Sequence, residues 1–255
     1  MTSLPEVRLS IVMPAYREGR TIEPILARIA EAVTLPFEAL IVVDVADDPT
    51  VEVVEELGRT DPRFRVLVNE YGRGPGNAIR YGVDHAAATA IVVTMADGSD
   101  DPRQIDDLVR LVERGVVVAC ASRYMSGGQQ VGGPAFKSFL SKTAGRSLHL
   151  FARVGTRDAT NSFKAYSTEF VRTVGIESSA GFEMGIELTA KARRLRLPVA
   201  EIPTIWLERE HGVSNFKVAS WIPGYLRWYQ FAFGRRLTLE ELAEKIAANR
   251  KETAA

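Results

Sequence analysis

The sequence predicts an α/β fold in which a mostly parallel sheet is covered by helices on both faces. Short apolar runs alternate with amphipathic stretches along more than half of the chain, and repeated βα units of this length produce that architecture. Carboxylate side chains directly follow several of the apolar runs, where ligands bind at the carboxyl edge of an open sheet. The 255 residues, 46% of them hydrophobic, are enough to bury a substantial core.

The alternating pattern orders the elements along the chain. Strands are predicted at 9–13, 39–43, 64–68, 90–95 and 116–121, and helices near 21–33, 50–59, 76–88 and 102–114. The run 91–95 is apolar on both pleat faces, which is typical of a strand buried between two helical layers. Beyond residue 121 the glycine-rich segment 126–134 is predicted to be a mobile loop. A helix, a strand, a helix and a strand are then predicted at 135–152, 162–166, 182–195 and 199–205.

Composition excludes several classes of protein. The 32 basic and 32 acidic residues balance, which argues against nucleic-acid binding driven by charge. The single Cys120 cannot form an internal disulfide or a thiolate zinc site, as is usual in a reducing cytoplasm. The first residues lack the blocks of a signal peptide, and no apolar run reaches the ~20 residues of a membrane span. A cytoplasmic protein, soluble or peripheral on a membrane, is expected.

Three carboxylates within five residues end the fourth strand. Asp97, Asp100 and Asp101 follow the apolar run 91–95 at the carboxyl edge of the predicted sheet. Carboxylates at this position can hold a divalent cation, which in turn bridges two phosphates. The alternative is a helix N-cap, because an aspartate followed by Pro102 opens a helix well. We expect both roles, with Asp101 capping the helix and Asp97 binding the metal.

Other loops at the same edge carry polar groups. The segment 14–19 follows strand one, Asp44 follows strand two, and the glycine-dense turn 71–77 with Arg73 follows strand three. That turn brings backbone amides close to a phosphate or simply leads into the next helix. Its spacing is neither a dinucleotide fingerprint nor a P-loop, which lowers support for hydride transfer and P-loop phosphoryl transfer. No G-x-S-x-G nucleophile motif is present, which argues against covalent hydrolase chemistry.

Six motifs occur in an order that resembles a known family. PAYREG, IVVD, RGPGNAIRYG, VTMADGSDDP, ASRYMSGG and NSFKAY are similar to segments of family 2 glycosyltransferases of the GT-A, Rossmann-like fold. Within the family the chain most resembles dolichol-phosphate mannosyltransferases and polyprenyl-phosphate glycosyltransferases, over about residues 9–228. The resemblance implies an inverting transfer of a mannose- or glucose-type hexose from a nucleotide-diphosphate sugar to polyprenyl or dolichyl phosphate, with Mg²⁺ or Mn²⁺, at the cytoplasmic membrane face.

The resemblance also implies donor-side roles for particular residues. The nucleotide pocket would be lined by Pro14, Ala15, Tyr16 and Glu18, with Asp44 at the base or ribose and with Arg73 and Gly74 near the donor diphosphate. Asp97 matches the last acid of the family's Asp-x-Asp metal motif, and Met95 replaces the first. Asp100 is therefore a candidate second metal ligand. After strand two the usual paired aspartates are Asp44-Val45, and Asp47 or Asp48 could compensate.

On the acceptor side the resemblance implies a phosphate-binding cluster. Arg123, Lys137, Ser141 and Lys142 match basic or hydroxyl positions of the lipid-phosphate enzymes. The alternative for Lys137 and Lys142, which lie five residues apart, is a solvated helix face. Ser214 and Lys217 match the family's Gly-x-Ser-Lys segment and are candidate phosphate ligands.

Two glutamates keep rival functions open. Glu183 and Glu187 share one face of a predicted helix, and either could be the general base that a hydroxyl acceptor needs. In the alternative interpretation Glu187 anchors a loop and Glu183 is a partly exposed helix residue. The first rival is therefore a glycosyltransferase acting on a soluble or glycan hydroxyl. The second, suggested by Met95, is a catalytically weakened nucleotide-sugar-binding protein.

The chain is divided into a glycosyltransferase domain, 1–215, and a C-terminal amphipathic helix with a tail, 216–255. Trp221, Tyr225, Trp228 and Tyr229 give this helix an aromatic face, with basic residues interspersed. Such a helix either lies in a membrane interface or packs on the core. We favour the interface.

Overall fold

A computed structural model describes residues 7–179, 181–208 and 218–254, without the side chains at 136, 137, 218–221 and 250–254. Its strands are β1 (Leu9–Ala15), β2 (Phe37–Val43), β3 (Phe64–Val68), β4 (Ala90–Val93), β5 (Val118–Ser122), β6 (Gln129–Val131), β7 (Lys164–Ser167), β8 (Val199–Pro203) and β9 (Ile205–Leu207). Its helices are α1 (Glu23–Ala32), α2 (Pro49–Thr60), α3 (Pro75–His85), α4 (Ile105–Glu113), α5 (Ala135–Ser147), α6 (Thr168–Val174), α7 (Met184–Leu195), α8 (Val218–Ala232) and α9 (Leu239–Ala254). A π-helical turn, Leu148–Ala152, continues α5.

The main sheet confirms the predicted mostly parallel α/β architecture. Its strand order is β3-β2-β1-β4-β7-β5-β8. β1 pairs in parallel with β2 and β4, and β2 pairs in parallel with β3, so their carboxyl ends share one edge. β7 runs antiparallel to both of its neighbours, β4 and β5, whereas β5 and β8 are parallel. The amino end of β7 therefore lies at the edge where its neighbours end.

The central strands of the sheet are buried on both faces, and their alternate side chains enter different clusters, whereas the edge strands β3 and β8 are only partly buried. Ile11 packs with α1, α2 and α4 on one face, and Val12 packs with α3, α6 and α7 on the other. A third cluster joins the π-helical turn, α7 and α8 around Leu148, Ile186 and Trp228. Full burial of such a side chain contributes about 1.5–3 kcal/mol. The apolar strand runs are thus explained by their two helical layers.

The prediction that segment 126–134 is a mobile loop is wrong. β6 lies within it and pairs in parallel with β9, which forms a second, two-stranded sheet. Glycines on either side supply the turns, since Gly127, Gly132 and Gly133 have positive φ angles. The glycines therefore bound a short strand, and its partner is too distant in sequence to be predicted from local pattern. The sequence reasoning also missed α6 and α9.

Helix α8 is present where an amphipathic helix was expected, but the predicted membrane-facing position of Trp228 is wrong; the side chain of Trp221 lies outside the described residues. Trp228 is only 2% exposed, and its Nε1 donates to Ser178 Oγ at 3.1 Å. Tyr229 hydroxyl lies 2.9 Å from Ser147 Oγ, which ties α8 to α5. The core-packed alternative holds for Trp228, because its indole finds apolar contacts and a polar partner inside the protein. Among the described residues, no helix has the length and hydrophobicity to span a bilayer.

Candidate active site

The loop after β1 is fixed to the start of α2. Pro14 and Ala15 are buried at the end of β1, and Tyr16 is exposed beyond them. The backbone N–H groups of residues 17–19 donate to the side chains of Asp48 and Thr50, at 2.8–3.2 Å. Asp48 also caps α2 by accepting from Thr50 N. It is therefore an anchor of this loop, and Glu18, half-buried, is held at the same edge.

Asp44 holds the glycine-rich turn after β3. Its carboxylate accepts from Gly74 N at 3.0 Å and from Asn69 Nδ2 at 3.1 Å. Gly74 has φ +121°, a conformation that favours glycine. Arg73 is exposed on the turn, next to the start of α3. The structure thus brings Asp44, Arg73 and Gly74 together, as the sequence predicted.

The turn also lies against the loop before α7. A Cβ added to Gly76 would lie 2.7 Å from the backbone carbon of Ser179 and 2.9 Å from Gly181 O. Such distances are shorter than van der Waals contact, so only glycine fits at position 76. The turn after β3 and the loop before α7 therefore meet at this residue.

The three carboxylates after β4 have different environments. Asp97 Oδ1 accepts from Ser99 N at 3.1 Å and from Ser99 Oγ at 2.6 Å, and the side chain remains partly exposed. Asp100 is buried, and its Oδ2 accepts from Thr94 Oγ1 and Met95 N. Asp101 caps the turn before α4, as predicted, by accepting from Arg103 N. Met95 thus supplies a backbone donor to Asp100 where the family motif has an acid.

Two of these carboxylates suit a hard divalent cation. Burial, together with the nearby charge of Asp97, raises the pKa of Asp100 to about 7. A cation bound between Asp97 and Asp100 would offset that repulsion, and oxygen atoms are the ligands that Mg²⁺ and Mn²⁺ accept. Among the described residues no group of three or more His, Cys, Asp or Glu side chains converges. The remaining ligands of a bound ion would therefore come from the donor diphosphate and water.

Arg123, after β5, is the anchored cation of the acceptor side. Its Nε and Nη2 make a bidentate pair with the fully buried Asp158, at 2.7 and 2.9 Å. The pair raises the pKa of Arg123, against the effect of its burial, and Arg123 lowers the pKa of Asp158. Arg123 Nη2 also lies 3.4 Å from Ser141 Oγ, which contacts Thr160 Oγ1 at 2.7 Å. A rigid guanidinium therefore faces helix α5.

The other acceptor candidates fall in different places. Lys142 follows Ser141 on α5 and is exposed. Lys137 lies on the same helix, but its side chain is not among those described. Ser214 and Lys217 lie outside the described residues. Sequence reasoning missed Asp158, the partner of Arg123, because the two residues are 35 positions apart and no local motif marks the pairing.

The small sheet connects the acid loop to α5. Leu207 N, in β9, donates to Ser99 O at 3.3 Å, beside Asp97. On β6, Gln130 Nε2 donates to Ser138 Oγ at 2.7 Å, near the start of α5. The two-stranded sheet β6–β9 therefore links the metal-binding candidates to α5.

Glu187 and Glu183 are both buried, but they differ in their hydrogen-bond partners. Glu187 is fully buried, accepts from the backbone N–H groups of Glu177 and Ser178, and pairs with Lys191 at 2.6 Å. It therefore anchors the loop before α7, which excludes it as a general base. Glu183 is also buried, contrary to the partly exposed alternative, and its Oε2 has no hydrogen-bond partner among the described residues. Burial, followed by the charge of Glu183, raises the pKa of Tyr225.

Comparisons with known proteins identify the family of the chain. The family model described as glycosyl transferase family 2 matches residues 10–175, more than half of the chain. Polyprenol monophosphomannose synthase of Mycolicibacterium smegmatis is 31% identical over 236 residues, covering 86% of this chain and 89% of that protein. Undecaprenyl-phosphate mannosyltransferase of Micrococcus luteus is 26% identical over 231 residues, covering 87% of this chain and 94% of that protein.

A solved structure shares the fold. Glucosyl-3-phosphoglycerate synthase from Mycobacterium tuberculosis, crystallised with Mn²⁺, UDP and glucosyl-3-phosphoglycerate, superposes with a TM-score of 0.66. The alignment covers 91% of this chain and 82% of that chain at 16% sequence identity. The likeness establishes the GT-A fold.

Proposed function

Because the chain belongs to glycosyl transferase family 2 and is a glycosyltransferase, we propose that it transfers a hexose, with inversion, from a nucleoside-diphosphate sugar to polyprenyl phosphate. The observation that carries this proposal is the fixed guanidinium of Arg123, which is paired with the buried Asp158 and faces Ser141 of α5. A rigid cation after β5, at the sheet edge where the acid loop follows β4, suits an anionic acceptor.

On the donor side, the loops at the carboxyl ends of β1, β2 and β3 would hold the nucleotide. In this proposal Tyr16 and Glu18 contact the base or ribose, and Asp44 keeps the glycine-rich turn in place. Arg73 lies exposed on that turn and would neutralise charge on the leaving diphosphate.

Asp97 and Asp100 would hold Mg²⁺ or Mn²⁺ against the same diphosphate. Bound there, the ion would act as a Lewis acid that stabilises the charge developing on the leaving group. Asp97 is the more accessible carboxylate, and Asp100 is oriented by Thr94 and Met95. In this proposal Asp97 would be the accessible ligand, and Asp100 would bind the ion from the buried side of the loop.

If the acceptor is a phosphate, basic residues are sufficient on the acceptor side and no general base is needed. A lipid phosphate is already anionic at neutral pH, so it needs alignment and charge screening rather than deprotonation. Asp158 fixes Arg123 in one orientation, and Lys142 and Lys137 add charge from α5. These residues would orient the phosphate oxygen toward the anomeric carbon.

The decisive experiment is a donor and acceptor panel. Purified protein is given nucleotide sugars and Mn²⁺, and release of nucleoside diphosphate is measured with polyprenyl phosphate, with glycan acceptors and without an acceptor. We expect fast release with one donor and polyprenyl phosphate only, and loss of release when EDTA removes the metal. Donor binding without turnover under every condition would contradict the proposal and leave a nucleotide-sugar-binding protein.

Glu183 supports a second candidate function, transfer to a hydroxyl. Its buried carboxylate has an unpartnered Oε2 and could accept a proton from a hydroxyl acceptor. Glu183→Gln separates the two functions, because it removes the base and keeps the shape. Polyprenyl-phosphate transfer should change little in this variant, whereas transfer to a hydroxyl should fall about a hundredfold or more.

A further inference from the structure

Lys164 is a fully buried lysine at the edge of the sheet that carries the candidate site. It is the first residue of β7 and belongs to the NSFKAY segment, and the proposed reaction assigns it no role. Its backbone pairs with Val93, the last residue of β4, and with Cys120 of β5. Lys164 therefore lies between the strand that leads into the acid loop and the strand that leads to Arg123.

The ammonium group of Lys164 is bound by backbone carbonyls. Its Nζ donates to Ala159 O at 3.2 Å and to Asn161 O, and among the described residues it forms no ion pair with a carboxylate. A Cβ added to Gly185 would lie only 3.2 Å from Nζ, so the first turn of α7 packs directly against the group. Burial of an ammonium without an acidic partner costs free energy. A neutral side chain would avoid that cost, which indicates that the positive charge has a task.

The two carbonyls belong to the loop 158–161, which fixes Arg123. Asp158, at the start of this loop, accepts from Arg123 Nε at 2.7 Å and from its Nη2 at 2.9 Å. Thr160 Oγ1 contacts a hydroxyl of α5 at 2.7 Å. Lys164 therefore holds from the inside the same short loop whose outer side meets the guanidinium and α5.

The Arg123–Asp158 pair by itself carries no net charge. Glu201, two strands away from Lys164 at the same level of the sheet, is neutralised by Arg157. Lys164 has no such partner, so the group of Arg123, Asp158 and Lys164 carries one net positive charge. Burial lowers the pKa of Lys164, and the Asp158 carboxylate acts in the opposite direction, which favours the charged form. In the protein interior a single charge acts over a longer distance than a neutralised pair.

We propose that Lys164 is a positioning residue for the acceptor phosphate, acting through the loop 158–161 and through the positive charge that it adds behind the Arg123–Asp158 pair. The contacts of its ammonium keep Asp158, and with it Arg123, in one place. Its charge attracts an anion, which the neutralised pair alone would attract weakly. Lys164 does not touch the acceptor, because it is fully buried. The inference rests on the proposed function, transfer to polyprenyl phosphate.

Steady-state kinetics with a short-chain, water-soluble prenyl phosphate test this role. Lys164→Met keeps a side chain of similar length and removes its charge, so it should raise the KM for the acceptor about tenfold. The kcat and the hydrolysis of the donor by water should stay within about twofold of the parent values. Lys164→Arg keeps the charge and should recover most of the affinity for the acceptor. A residue that only stabilised the fold would not separate KM from kcat in this way.

Salt dependence separates the buried charge from the exposed ones. Mobile ions screen Lys142 on the surface of α5, whereas they do not reach the buried Lys164. The loss of acceptor affinity in Lys164→Met should therefore persist in high salt, and the loss in Lys142→Ala should become smaller. A loss in Lys164→Met that disappears in high salt would contradict a buried source of the charge.

Lys191→Met is the matched control. Lys191 is also fully buried and also donates to two backbone carbonyls, those of Val174 and Gly175, but it lies within α7 and pairs with Glu187. This variant should lower the stability of the protein and leave the acceptor KM of the folded protein unchanged. Equal rises of KM in Lys164→Met and Lys191→Met would assign the effect to general destabilisation and overturn the proposal.

Amide hydrogen exchange followed by mass spectrometry tests the loop without any substrate. Exchange of the amides at 158–163 should be faster in Lys164→Met than in the parent, and exchange in β1, β2 and β3 should be unchanged. Lys164→Gln keeps a donor for the carbonyls but carries no charge. It takes the place of Lys164→Met in the kinetic test if the circular dichroism spectrum of Lys164→Met shows that this variant does not fold.

Failure of this inference and failure of the proposed function give different results. If the parent protein transfers sugar to the prenyl phosphate and the neutral variants of Lys164 keep its acceptor KM, the role of Lys164 is overturned and the proposed reaction stands. If the parent protein transfers sugar only to a hydroxyl acceptor, the proposed function is overturned. Lys164 then loses its role toward the phosphate, and hydrogen exchange still decides whether it holds the loop.

Discussion

Two parts of the molecule are stabilised in different ways, and each is named here after its proposed role: the donor half, β1 to β4 with their helices, and the acceptor half, β5 to α9. In the donor half, functional loops are held by carboxylates and hydroxyls that accept from backbone N–H groups, as Asp44 and Asp48 do. In the acceptor half, buried ion pairs do this: Arg123–Asp158 joins segments 35 residues apart, and Lys191–Glu187, within α7, binds backbone groups of the loop before that helix.

The difference predicts how much stability each half loses when a charged side chain is removed. Backbone-anchored loops lose one cap or turn when a side chain is removed, and the regular sheet beneath them remains. A buried ion pair leaves an uncompensated charge in the core when one partner is removed. Single substitutions of charged residues should therefore destabilise the acceptor half more than the donor half.

The largest expected effect is on stability, and it tests this contrast directly. Lys191→Met should lower the free energy of unfolding by about 3–5 kcal/mol, because it leaves Glu187 buried without its cation. Asp48→Ala, in the donor half, should lower it by only about 1–2 kcal/mol through loss of a helix cap. Urea unfolding followed by circular dichroism measures both. Equal losses would remove the distinction between the halves.

The second-largest expected effect is a loss of sugar transfer. Asp97→Ala should reduce sugar transfer by about a hundredfold or more and weaken its dependence on Mn²⁺, because the metal loses its most accessible protein carboxylate. The fold should remain, since Asp97 lies in a loop outside the buried ion pairs. Asp101→Ala is the control, because Asp101 caps a turn and pairs with exposed Arg103. An inactive Asp101→Ala variant or unchanged Mn²⁺ dependence in Asp97→Ala would argue against the metal assignment.

A smaller effect should distinguish acceptor binding from donor chemistry. Lys142→Ala should weaken use of polyprenyl phosphate about ten- to a hundredfold, since a charge-assisted contact to phosphate is worth about 1.5–3 kcal/mol. Hydrolysis of the donor by water should change much less, and we expect the same pattern for Lys137→Ala. Arg110→Ala removes an exposed positive charge from α4 and should affect neither rate. Parallel losses in both assays would show that Lys142 does not serve the acceptor alone.

The smallest effect concerns the contact between α5 and α8. Tyr229→Phe removes the hydrogen bond to Ser147 and should lower the free energy of unfolding by about 0.5–1.5 kcal/mol. Thermal unfolding measures the change. If the acceptor half were held by buried charges alone, the melting temperature of this variant would equal that of the parent.

The same contrast explains which elements and contacts could be predicted from the sequence. β3 was predicted at its observed residues, because its apolar run is bounded by clear polar segments. The polar loops at the carboxyl edge followed from strand order, and the comparisons confirm the family and the fold inferred from the motifs. By contrast, β6 depends on β9, and Arg123 depends on Asp158, so neither is visible in a local pattern. Helix α6 was missed because seven residues are too few for a periodic signal.

The direction of β7 has a consequence for how such an enzyme can diversify. Since β7 runs antiparallel to β5, the intervening residues 123–163 leave the sheet and return to it at the same edge. This excursion carries Arg123, its counter-ion Asp158 and the whole of α5. A segment whose ends meet can be lengthened, shortened or exchanged without reordering the strands. Replacing it is therefore a route to a new acceptor preference on an unchanged nucleotide-binding frame.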